Sequence, residues 1–133
     1  MEGDRVRLDT RTKILTAAGL AALAPPRPLL VAAGRFDILR AAMVRELAAA
    51  LERTAANSLL VVVRPLPDEL APLAARAEMA ASLRVVDYVF IAENGNLSNL
   101  PGSLQPIEIV SLEEADAERT RQLIEHVHRR QSA

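Results

Sequence analysis

Apolar residues in this chain fall into two kinds of pattern, short unbroken runs and longer stretches with helical spacing, and the two alternate. "LLVAA" at Leu29–Ala33 and "SLLVVV" at Ser58–Val63 are the unbroken runs. A strand with one buried face alternates apolar and polar residues, so a continuous run predicts a strand covered on both faces. Two more strands are predicted at Val85–Ala92 and Ile107–Val110. Thr10–Leu23 reads as a first helix, stopped by Pro25, Pro26 and Pro28. A second helix, about Asp37–Arg53, carries Val44, Leu47, Ala48 and Leu51 on one face, and a third repeats Leu70, Leu73, Ala77 and Ala80. Ser111 and Glu114 have capping-box spacing, which predicts a last helix with an apolar stripe running through Thr120, Leu123, Ile124 and Val127. The polar stretch "ENGNLSNLPGSLQP" before the last strand reads as a loop.

Helices alternating with such strands specify one α/β domain, a parallel sheet with helices on both faces. The whole chain, 1–133, is expected to form that single domain, with an ordered core from about 10 to 130. In these sheets ligands bind at the C-terminal ends of the strands, where helix N-termini direct partial positive charge at anions. The segment "AAGRFDILRAAMVREL", Ala32–Leu47, belongs to that edge: the end of a strand, a tight turn at Gly34, and a helix start that would present Arg40 and Met43 to a ligand.

Composition narrows the chemistry. Half of the 133 residues are hydrophobic but only 2% are aromatic, so the core must be aliphatic, with small residues allowing close helix-on-sheet contact. The net charge of −1 argues against a nucleic-acid protein. Lys13 is the sole lysine, so phosphate contacts elsewhere fall to arginines, backbone N–H groups or hydroxyls. Cysteine is absent, which excludes thiolate chemistry and cysteine-based metal sites. His126 and His128, two apart on a helix, project to nearly opposite sides and cannot share an ion, so no metal site is expected. The run Ile14–Ala24 imitates a signal peptide but follows Glu2, Asp4 and Asp9 and is too short to span a bilayer. A cytoplasmic protein with no membrane partner is expected. The alanine-rich surfaces "AAGLAALA" and "AARAEMAA" predict a homodimer.

The order "GRFDILRAAMVREL", "LLVVV", "ARAEMAASLRVVDYVF", resuming at "IEIVSLEEADAERTRQLIEHVHRR", resembles the cytidylyltransferase-like nucleotidyltransferases. The likeness is greatest to the adenylyltransferase domain that acts on heptose phosphate in bacterial lipopolysaccharide precursor synthesis. It implies a Rossmann-like nucleotidyltransferase fold. In the family the turn reads Gly-x-Phe-Asp, two residues, then His-x-Gly-His, and the histidines contact the nucleotide phosphates. Here Gly34, Phe36 and Asp37 match, but Arg40, Ala42 and Met43 occupy the His, Gly and His positions. A thioether cannot donate a hydrogen bond to a phosphate oxygen, and losing one such donor typically costs ~10²–10³ in rate. A guanidinium at Arg40 keeps a positive charge near the phosphate. The family's lysine after the second strand is also missing, with Arg64 nearby, and its Ser/Thr-rich turn is reduced to Arg119, Thr120 and Arg121.

The resemblance therefore implies a domain that keeps a nucleotide- or anion-binding edge without efficient nucleotidyl transfer, acting as a binding or regulatory module. Its partner would be a nucleotide or a phosphorylated small molecule, and it would hold no permanent cofactor. The candidate binding residues are Gly34, Arg35, Phe36 and Asp37 in the turn, with Arg40, Arg64 and Thr120 around it. An alternative is a working enzyme that joins a nucleoside triphosphate, brought in with magnesium, to a sugar or polyol phosphate, with Arg40, Arg64 and the helix start at Asp37 replacing the histidines and lysine. A second alternative is a scaffold or dimerisation module. Arg76 and Glu78 are expected to form surface pairs of little energetic weight, and Met43 to pack into the core.

Overall fold

The computed structural model describes residues 10–36, 41–65, 72–93, 97 and 100–112. Five parallel strands form one sheet: β1 (Ile14–Leu15), β2 (Leu29–Gly34), β3 (Ser58–Val63), β4 (Tyr88–Ile91) and β5 (Glu108–Ser111), in the spatial order β1-β4-β3-β2-β5. Three helices accompany them, α1 (Ala17–Ala21), α2 (Ala41–Thr54) and α3 (Leu73–Ala81).

The unbroken runs are the centre of the sheet. Every residue of β2 and β3 is buried, and they pair from Leu29↔Ser58 to Gly34↔Val63. Because successive strand side chains point to opposite faces, the two runs feed two cores. Leu30, Ala32, Leu59, Val61 and Val63 meet Met43 and Leu47 of α2 and Ala77, Ala80 and Ala81 of α3. On the other face, Leu29, Val31, Ala33, Leu60 and Val62 meet Leu20 of α1 and Leu104 of a 3-10 turn, Gly102–Leu104. Helices thus cover both faces, as the pattern predicts.

The first helix is not as expected. Thr10–Lys13 is a 3-10 turn, Ile14–Leu15 is a strand beside β4, and only Ala17–Ala21 is α-helical. Adjacent Ile14 and Leu15 pack against opposite cores, which only an extended backbone allows. The open edge of β4 outcompetes a weak helical preference that Gly19 lowers further. Thr16 then starts α1, its hydroxyl accepting from the Gly19 N–H at 3.0 Å.

Helix α2 buries Met43, Leu47 and Ala50, whereas Ala48, expected on that face, is exposed and Val44 half-buried. The spacing of four and three residues selects this stripe. The helix ends in a Schellman motif in which the Ala56 N–H donates to the Leu51 carbonyl at 3.1 Å and the Ala55 N–H to the Glu52 carbonyl at 3.2 Å. The left-handed position belongs to Ala55, at φ 54°. Leu70 and Asp37–Arg40, expected to begin their helices, lie outside the described residues, as does everything after Leu112, including Glu114 and the expected last helix. Ser111 is the last residue of β5, paired with Ala33. The fourth strand starts later than Val85 because a turn, with the Val86 N–H on the Leu83 carbonyl at 3.1 Å, closes α3 first.

Candidate functional site

All five strands are parallel, so Gly34, Val63, Ile91 and Ser111 end at one edge. From β2 the chain moves outward through β3 to β4, then returns to place β5 on the opposite side of β2. The order of strands reverses between β2 and β5, and a reversal of this kind opens a crevice at the strands' C-terminal ends.

Gly34 stands at that reversal. A Cβ there would lie 3.2 Å from the Phe36 ring and 3.3 Å from the Leu112 Cβ, so a side chain would require one of these neighbours to give by a few tenths of an ångström. The left-handed backbone of this turn lies at Phe36, with φ 54°. That conformation is uncommon outside glycine. It turns the Phe36 ring back under the strand end, where it is 1% exposed and joins the core of α2 and α3. Of the turn residues, Phe36 can offer a ligand only its backbone, while Arg35 is exposed.

Arg35 and Arg64 come together because each follows the last residue of two paired strands, Gly34 and Val63. The pairing continues past the strand ends, the Arg64 N–H donating to the Gly34 carbonyl at 2.9 Å and the Ala92 N–H to the Val63 carbonyl at 2.9 Å. Arg64 is half-buried. Beneath both lies Arg76 of α3, whose exposure is 0%. Its Nη1 donates to the Arg35 carbonyl at 2.6 Å and to the Arg64 carbonyl at 2.8 Å. The surface role expected of Arg76 is therefore corrected: it belongs to the floor of the edge. Glu78 is exposed, as expected.

Met43 is 4% exposed and packs in the core with Leu47, and Ala42 beside it is half-buried. Asp37, Arg40 and Thr120 lie outside the described residues. The small-residue face of α3 is spent on the sheet, with Ala77, Ala80 and Ala81 all buried, whereas Ala17, Ala18, Ala21 and Ala22 around α1 are exposed. Among the described residues, no cluster of three or more His, Asp or Glu side chains is placed to hold a metal ion. None of the described helices is long and apolar enough to cross a membrane.

No family model and no curated protein matches this chain. Among solved structures, the crystal structure of the lipopolysaccharide core biosynthesis protein from Thermoplasma volcanium GSS1 superposes with a TM-score of 0.52. The two share 22% identity, over 61% of this chain and 70% of that one. The likeness is one of fold: a parallel, Rossmann-like α/β sheet with helices on both faces.

Proposed function

We propose that this chain is a nucleotidyltransferase-like domain that binds a nucleotide or a phosphorylated small molecule at the C-terminal edge of β2 and β3 without catalysing efficient nucleotidyl transfer. The observation that carries this is Met43. Where the resembled family has its second phosphate-contacting histidine, this chain has a thioether buried in the hydrophobic core, which supplies no donor to a phosphate. The anion-binding half of the proposal rests on Arg35 and Arg64, adjacent arginines beyond paired strand ends, with Arg40 included as what the sequence resemblance implies.

Two lines support a link to sugar-phosphate chemistry. The sequence resembles a family acting on heptose phosphate in lipopolysaccharide precursor synthesis, and the fold likeness is to a protein named for lipopolysaccharide core biosynthesis. Magnesium, if needed, would arrive on a nucleoside triphosphate as part of the ligand. A homodimer formed through the exposed face of α1, with about twice the 14.4 kDa chain mass in light scattering, is part of the same proposal.

The test is a thermal-shift series against nucleotides and sugar phosphates, paired with a pyrophosphate-release assay in magnesium. A ligand at a hundred times its Kd should stabilise the fold by about 2.7 kcal/mol, with no pyrophosphate released. Arg40→Ala should abolish that shift, and Met43→Leu, which conserves volume, should keep it. Steady pyrophosphate release would favour the working enzyme in which arginines replace the histidines. Absence of any ligand shift would leave a scaffold.

A further inference from the structure

The buried guanidinium of Arg76 serves no obvious packing need, since α3 already rests on the sheet through Ala77, Ala80 and Ala81. A charged group at 0% exposure is costly to bury and persists where its hydrogen bonds repay the desolvation. Arg76 spends one terminal nitrogen on two separate connections. At 2.6 Å it takes the carbonyl that follows β2, and at 2.8 Å the carbonyl that follows β3.

Both peptides are unusual acceptors. The Arg64 carbonyl belongs to a peptide bond with Pro65, which has no N–H, so its only polar group points at Arg76. The Arg35 carbonyl belongs to the peptide that leads into left-handed Phe36. In a trans peptide the carbonyl and N–H point in opposite directions. Drawing the Arg35 carbonyl down to Arg76 therefore turns the Phe36 N–H away from it. Among the described residues that N–H finds no acceptor.

We infer that Arg76 is the positioning residue of the anion site, a buried cation that locks the turns after β2 and β3 into one platform and sets the orientation of the Phe36 amide within it. The inference rests on the binding edge proposed above and adds the group that shapes it. Arg76 does not touch the ligand. It acts through the two backbone carbonyls, and its fixed charge lies beneath a site for phosphate. Lysine keeps the charge, but its ammonium sits on a shorter, flexible stem and is not held in the planar geometry in which Nη1 reaches both carbonyls.

The experiment titrates the ¹⁵N-labelled full chain with inorganic pyrophosphate. In the wild type the Phe36 amide and the Arg76 Nε–H signals should shift together with one midpoint. Arg76→Lys and Arg76→Met, each titrated well below its own unfolding temperature, should bind pyrophosphate roughly tenfold more weakly or worse, the scale on which supporting groups act. A brace that served only folding would lower the unfolding temperature of both variants and leave the affinity of the folded protein unchanged. Wild-type binding with Arg76→Lys within twofold of it would overturn the inference and leave the site standing. Failure of the wild type to bind would overturn the site and the inference together. If neither variant folds, the wild-type spectra decide: stationary Arg76 and Phe36 signals at saturation overturn the inference, and a joint shift supports it.

Discussion

The two edges of the sheet are held in different ways. At the N-terminal edge, several polar side chains stitch neighbouring connections together. Ser58 Oγ donates to the Pro26 carbonyl at 2.6 Å, and Asn57 Nδ2 to the Arg27 carbonyl at 2.6 Å. The Arg27 guanidinium donates to the carbonyls of Leu104 at 2.6 Å and Ser103 at 2.8 Å. Asp87 accepts the Leu59 N–H at 2.9 Å. Arg27, Asn57 and Asp87 are themselves exposed, and the bonds of this edge are shared among several side chains. At the C-terminal edge, among the described residues, one buried side chain, Arg76, spans two turns. A distributed edge tolerates change, and a concentrated one ties local geometry to one residue.

The largest effect expected from this contrast is on stability. Arg76→Met leaves two carbonyls without a charged donor beneath the sheet edge and should cost about 3 kcal/mol or more, whereas Asp87→Ala should cost about 1 kcal/mol. Urea unfolding of both variants measures the difference. Equal costs would break the contrast between the edges.

A smaller effect of opposite sign is expected at the N-terminal edge. Ala55 ends α2 with φ 54°, a left-handed position where a side chain costs roughly 1–2 kcal/mol. Ala55→Gly removes that cost but gives the unfolded chain more freedom. A net gain of about 0.5–1 kcal/mol in urea unfolding is expected, and a loss would show that the exposed Ala55 methyl has a packing role.

The same contrast marks what could be read from the sequence. β2 and β3 were legible because continuous apolar runs bounded by turn residues have few other solutions in a domain of this size. β1 was not, since two residues carry no period and Ile14–Leu15 becomes a strand only because β4 has an edge to offer. Gly34 was legible as the place of the turn, but its crowded neighbours, Leu112 and a Phe36 that carries the positive φ, were not. Arg76 was missed because a charge in an alanine-rich helix reads as solvated. A signal was present, however. Leu73, Arg76, Ala77 and Ala80 follow the spacing of one buried stripe, so the helical period places the arginine on the inward face. Met43 was legible as a core residue, because it shares that spacing with Leu47 and Ala50.

The smallest effect concerns the ion pair that joins α2 to β5 at the N-terminal edge. Arg53 donates to both carboxylate oxygens of Glu108, at 2.8 and 2.7 Å, yet the side chains are 57% and 38% exposed. Hydrogen bonding from Arg53 is the main reason the Glu108 carboxyl titrates below its usual range, with the attraction of the nearby charge adding to it and partial desolvation opposing it. A folded-state pKa below the unfolded one means that the pair's contribution is fully present above the ordinary carboxylate range and is lost as pH falls through the depressed value. Exposed pairs of this kind contribute little and are screened by salt. Glu108→Gln removes the titration. The unfolding temperatures of wild type and variant should differ slightly at neutral pH in low salt, and converge both in acid and in high salt. A difference that persisted in acid would have to come from something other than the charge, such as a hydrogen bond that the glutamine geometry cannot reproduce, and would show that this edge depends on shape as the Arg76 edge does.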